Sequence, residues 1–180
     1  MSTVKKLTVT ALFLALCVAL PPLFHAVGLG QAFSPLHIPA LACGLICGPL
    51  YGLVCGAFGP LLASLINGMP PMAMLLYFIP EMMAYGLFSG LFMKLIRTGS
   101  TVVDCVISLA VAMVIGRIVG GLVHGAVFLG GGAEYSLGIW VGTYFIGTWP
   151  GMILHIVLIP AFYLALEMAK LIPARYAKKA

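Results

Sequence analysis

Residues 102–129 read VVDCVISLAVAMVIGRIVGGLVHGAVFL. The run exceeds the ~20 apolar residues that carry a helix across a bilayer. Only two charged side chains interrupt it, Asp104 near its start and Arg117 well inside. Working outward, comparable apolar runs cover about 7–23, 36–48, 50–66 and 73–92 on one side and 149–166 on the other. The expected fold is therefore all-α: one membrane domain over residues 1–180, built as a six-transmembrane-helix bundle. The run at 36–48 is short for a full crossing, and Gly48-Pro49 breaks it. Asn67-Gly68-Met69-Pro70-Pro71 is a strong turn signal. Leu137 to Gly147 is apolar but cut by three glycines, as an outer half-helix would be.

Composition agrees. The chain is 63% hydrophobic and 7% charged, against about 25% charged residues in a soluble domain. Lipid is the solvent such a surface needs. A net charge of +5 could suit nucleic acid, but its placement argues against that partner. Lys5 and Lys6 precede the first run, Lys94 and Arg97 follow the fourth, and Lys170, Arg175, Lys178 and Lys179 follow the last. With six spans all three clusters fall on one side, so the positive-inside rule places both termini in the cytoplasm. A single helix over 36–66 would split the clusters between the two sides. Four spans plus a re-entrant hairpin would keep them together. Lys5-Lys6 ahead of Leu7–Leu20 mimics a signal peptide. The run continues through Pro21-Pro22 to Phe24 without a small-residue cleavage site, so it reads as a retained span.

The five cysteines all sit in apolar runs. Cys43 and Cys47 could face a metal from one helix, but small buried residues are the plainer reading, and no metal or other cofactor is expected. Ala11, Ala15 and Ala19 form a smooth stripe on the first helix, suited either to close internal packing or to a partner helix. Gly44, Gly48, Gly52 and Gly56 recur at the same spacing, with the Gly48-Pro49 break inside the series. Tight packing of two short helices explains them.

Two ionisable residues lie deep within spans. Glu81 is about nine residues from the outer end of its run, and Arg117 about sixteen from the inner end of its own. Charges inside lipid usually face the bundle interior, paired or lining a site. Glu81 is the natural protein partner for Arg117. Tyr77 and Tyr85 share a helix face with Glu81, and His124 lies two turns beyond Arg117. His37, Asn67 and Trp149 fall at the outer ends of their spans, where Trp149 could equally be an interfacial anchor. These eight residues are the candidate binding set. No catalytic constellation is present: there is no phosphate-binding loop, no serine-nucleophile signature and no zinc-protease signature. The chain does not read as an enzyme and cannot use ATP alone.

The segments Ser34-Pro35-Leu36-His37-Ile38-Pro39, Cys43-Gly44, Gly48-Pro49-Leu50-Tyr51-Gly52 and Asn67-Gly68-Met69-Pro70 follow one another in order. Met113-Val114-Ile115-Gly116-Arg117, Trp149-Pro150-Gly151 and Leu158-Ile159-Pro160 complete the series. Together they resemble the S components of energy-coupling factor (ECF) transporters over nearly the whole chain. The alanine stripe is similar to the motif with which those proteins dock on their transmembrane T subunit. The resemblance implies a six-helix subunit of a prokaryotic plasma-membrane importer. It would capture a vitamin-like small molecule at the outer side and work with a T subunit and two ATPase subunits. The likeness is closest to the pantothenate, folate and riboflavin branch, with a lean to pantothenate, because Arg117 could grip a carboxylate bidentately. The family often carries glutamine where His155 stands, and this departure bears on the substrate. Two rival readings use the same residues. One is a self-sufficient secondary transporter or channel with Glu81 as proton relay. The other is an intramembrane enzyme built on Glu81, His124 or His155.

Overall fold

A computed structural model of the chain describes residues 1–176; Lys178 and Lys179 of the last basic cluster lie outside the described residues. The described residues form helices and turns with no strand. The helices are α1 (Thr3–Ala26), α2 (Gly30–Phe33), α3 (His37–Cys47), α4 (Pro49–Asn67) and α5 (Leu75–Leu95). They continue with α6 (Thr101–Gly130), α7 (Leu137–Val141) and α8 (Trp149–Met168). A 3₁₀ turn at Met72–Met74 leads into α5, and a π turn at Gly142–Ile146 extends α7.

Local chemistry sets the ends of these helices. The Ser2 hydroxyl accepts from the Lys5 amide and caps α1. Pro49 opens α4, where its missing N–H costs nothing. Gly68, in the left-handed region at φ 70°, closes α4 with its N–H on the Ser64 carbonyl. Five segments are long and apolar enough to cross a membrane: Thr3–Ala26, Pro49–Asn67, Met72–Leu95, Thr101–Gly130 and Trp149–Met168.

The expected sixth span at 36–48 is the eleven-residue α3. At 1.5 Å per residue it rises about 16 Å, roughly half the hydrocarbon thickness. Yet α3 is the most enclosed helix, with nine of its eleven residues buried. Gly48 takes φ 104°, a conformation open to glycine, and turns the chain from α3 straight into α4. The two helices then lie side by side against α5. A Cβ on Gly52 would strike the Gly86 carbonyl and the Gly44 backbone, so Gly44, Gly52 and Gly86 bring three helices into backbone contact. The glycine series at four-residue spacing thus serves internal packing, folded into a hairpin at Gly48.

α5 lies at the centre, packed by α3, α4 and α6, while α1 covers α3 and α4, and α8 closes against α6, α3 and α2. The core includes Cys17, Cys43, Cys55, Leu41, Met82, Tyr85 and Leu109. Large apolar side chains such as Leu12, Val54, Leu122 and Val157 point outward, as a lipid-facing surface requires. Ala11, Ala15 and Ala19 are all exposed on the outer face of α1. Their stripe is left uncovered by the rest of the bundle.

The basic residues of the α5 and C-terminal ends meet at one pole. There the tail folds back over the α5–α6 connection. Asp104, fully buried, receives Arg175 Nε at 2.5 Å, the Tyr176 hydroxyl, and both the amide and hydroxyl of Thr98 at 2.8 and 2.7 Å. Arg175 also donates from Nη2 to the Ile96 carbonyl.

Candidate functional site

A cavity of about 420 Å³ opens at the pole opposite the Asp104 cluster, at the start of α3. Its size suits a small organic molecule. The end of α1, the segment after α2, the loop at Met69–Pro71, the first half of α5, the middle of α6 and the π turn all contribute. Polar groups project from walls that are mostly apolar, including Pro21, Leu36, Met74 and Phe78.

Five residues of the sequence-derived set line this cavity: His37, Tyr77, Glu81, Arg117 and His124. Three do not. Tyr85 is fully buried behind Glu81, to whose Oε1 its hydroxyl donates at 2.7 Å. Asn67 donates from Nδ2 to the Val18 carbonyl and ties α4 to α1. Trp149 faces outward, 56% exposed.

The pairing of Glu81 with Arg117 is not what the fold makes. Among the described residues the basic side chain within reach of Glu81 is His37, Nε2 to Oε1 at 3.7 Å. The other ring nitrogen of His37, Nδ1, lies 3.1 Å from the Ser34 carbonyl, which fixes the ring. His155 stacks beneath His37 with centroids 5.8 Å apart and is itself enclosed. Arg117 instead turns toward the segment after α7. Its Nε donates to the Tyr144 carbonyl and its Nη2 to the Thr148 hydroxyl at 2.9 Å, while the guanidinium lies 5.5 Å from the Phe145 ring centroid. These partners lie far along the chain and sequence spacing could not supply them. Glu81 and Arg117, 5% and 3% exposed, therefore line one cavity as separate charged groups.

Small residues on α6 make the room. A Cβ on Gly120 would stand 2.9 Å from Glu81 Cβ, and one on Gly116 would run into the Tyr85 ring. Gly121 likewise admits the Trp140 indole, whose Nε1 donates to the Arg117 carbonyl at 3.0 Å. On the far wall Tyr77 and His124 stack face to face at 4.0 Å and 8°. The Tyr144 hydroxyl meets His124 Nδ1 at 3.3 Å. His124 Nε2 is buried without a hydrogen-bond partner among the described residues. An unsatisfied buried nitrogen beside a cavity is a costly feature that a ligand can relieve.

Sequence reasoning passed over Ser34, Phe78, Thr143, Tyr144 and Thr148. Phe78 adjoins Tyr77, Thr148 adjoins Trp149, and Ser34 opens the segment that leads to His37. The described residues contain no group of three or more His, Cys, Asp or Glu side chains able to hold a metal.

The family model described as "ECF transporter, substrate-specific component" matches residues 5–172. No curated protein and no solved structure matches the chain.

Proposed function

The chain belongs to the family of ECF transporter substrate-specific components, and from that premise we propose that its cavity captures a small carboxylate-bearing vitamin for import. It is a multi-pass membrane transport component rather than an enzyme. The observation that carries the substrate reading is that Glu81 and Arg117 line one cavity without neutralising each other in direct contact. A buried guanidinium anchored through Nε and Nη2 keeps donors for an incoming carboxylate, and charge-assisted bonds of this kind are the strong ones. Glu81 and the unsatisfied His124 Nε2 suit hydroxyl or amide groups at the other end of the ligand, and the Tyr77–His124 stack offers a flat wall. Pantothenate, which has a carboxylate, an amide and hydroxyls, is the first compound to test within the pantothenate, folate and riboflavin branch.

In this reading the bundle is one membrane domain that crosses six times, with both termini in the cytoplasm. The short α3 completes its crossing because the chain from α2 to His37 is enclosed by α1 and α8 rather than exposed to lipid. The basic pole is then cytoplasmic, and the cavity opens outward. The uncovered stripe of Ala11, Ala15 and Ala19 docks a T subunit, which couples the chain to two ATPase subunits in a prokaryotic plasma membrane. Asn67 and Tyr85 support the site from outside its lining, and Trp149 serves as an interfacial anchor.

Three measurements test the proposal. Pantothenate should raise the melting temperature of the detergent-purified chain, since a ligand that binds only the native state stabilises it by mass action. Folate acting instead would keep the carboxylate site and replace the substrate, whereas riboflavin, which has no carboxylate, would overturn the carboxylate reading. Co-purification from the native host should recover a T subunit and two ATPases, and Ala15→Trp should remove them without changing ligand affinity. Uptake by the chain alone in liposomes, without ATPases, would overturn the coupled mechanism.

A further inference from the structure

A second cavity lies at the other end of α3. It measures about 200 Å³ and surrounds the Gly48 turn. Lys6 from α1, Lys94 from the end of α5 and Arg175 from the tail line it, with Tyr163 and Ile172 beneath. No acidic residue is among its lining residues. The two nearest acids, Asp104 and Glu167, both engage Arg175, which therefore meets the cavity already paired. Asp104 is filled by Arg175, Tyr176 and Thr98, and Glu167 accepts the Arg175 amide at 2.7 Å. The N-terminus of the nineteen-residue α4 opens beside the cavity at Gly48 without a side-chain cap, adding its positive dipole end. Two lysines from separate elements, neither with an acidic partner among the described residues, therefore converge on one small concavity beside the paired Arg175.

Exposed leucines adjoin the lining residues along the chain. Leu7 follows Lys6, Leu95 follows Lys94, and Leu50 stands two residues beyond Gly48; they are 58%, 66% and 72% exposed. A soluble anion would have no use for them. A molecule with an anionic head and hydrocarbon tails would use both features, and basic pockets between helices at a membrane surface have the chemistry for it. We propose that this cavity seats the phosphate of an anionic phospholipid headgroup, whose acyl chains lie along Leu7, Leu50 and Leu95. The lipid would bridge α1, α5 and the tail, staying bound at the pole away from the ligand cavity. This site does not depend on which nutrient the first cavity takes.

The test is titration of the detergent-purified full chain with short-chain phosphatidylglycerol, read by native mass spectrometry. Each lysine near a membrane surface contributes about 1 kcal/mol, roughly a five-fold change in affinity. K94Q should weaken binding about five-fold and K6Q/K94Q by roughly 25-fold. K5Q/R97Q removes equal charge from the same end but outside the cavity, and should leave binding unchanged. Equal weakening by K5Q/R97Q would reduce the effect to surface charge and overturn the site. Phosphatidylcholine binding as tightly as phosphatidylglycerol would also overturn it. Inorganic phosphate competing at the same affinity would assign the site to a soluble anion instead. Unchanged lipid binding in K94Q, with lost recovery of partner subunits, would assign the cations to a protein contact. K94Q alters an exposed side chain, so the test survives if the double variant does not fold.

Discussion

Two buried carboxylates divide the molecule between them. Asp104 at the basic pole has no exposed surface and receives four donors, from Arg175, Tyr176 and twice from Thr98. Glu81 in the bundle is also buried, yet it has the Tyr85 hydroxyl at 2.7 Å and a looser His37 at 3.7 Å, and it lines an open cavity. The same chemical group is closed in one place and available in the other. A saturated carboxylate holds elements together. A partly satisfied one beside a cavity holds a place for something else. The arginines repeat the contrast: Arg175 is clamped onto Asp104, whereas Arg117 is anchored by a carbonyl and a hydroxyl and has no carboxylate partner among the described residues.

The comparison can be broken most forcefully at the closed site. Arg175→Ala leaves Asp104 buried without its cation, a change that costs about 3–5 kcal/mol. The melting temperature in detergent should fall sharply while ligand affinity in the surviving folded fraction stays the same. A loss of affinity with unchanged stability would reverse the roles assigned to the two poles.

Arg117→Ala should do the opposite. Binding should weaken by about 2–3 kcal/mol, the scale of a hydrogen bond to a charged group. Isothermal titration reads this, and a melting curve of the free protein should move far less than for Arg175→Ala. Because Glu81 is not in direct contact with Arg117, adding Glu81→Gln should not rescue the variant. Full restoration of both stability and binding in the double variant would make the two residues a structural pair after all.

Glu81→Gln alone sharpens the contrast with a smaller step. The amide oxygen still accepts from Tyr85, so stability should hold, and binding should fall by about 1–1.5 kcal/mol as one charged acceptor becomes neutral. If affinity is untouched, the ligand does not reach Glu81. Trp149→Phe is the smallest change. The side chain is largely exposed and outside the cavity, so stability should shift within about 0.5 kcal/mol and affinity should not move.

What the sequence determined by itself is the class of molecule and most of its helices. Apolar length, charge scarcity and basic clusters act locally or additively, so they can be read without a fold. The run at 50–66 is α4 over 49–67, and that at 102–129 is α6 over 101–130. Intramembrane charge singled out Glu81 and Arg117 because a lone charge is expensive in lipid wherever the helices lie. Partnership was not legible in this way. Tyr144 and Thr148 reach Arg117 across some thirty positions of chain, through a π turn that no periodicity announces. The glycine repeat around Gly48 read as close packing, but only the meeting of Gly44, Gly52 and Gly86 decided that α3 and α4 fold into a hairpin against α5. Tertiary structure decided these points because hydrogen-bond partners and backbone contacts depend on distances between segments, which composition and spacing along the chain do not contain.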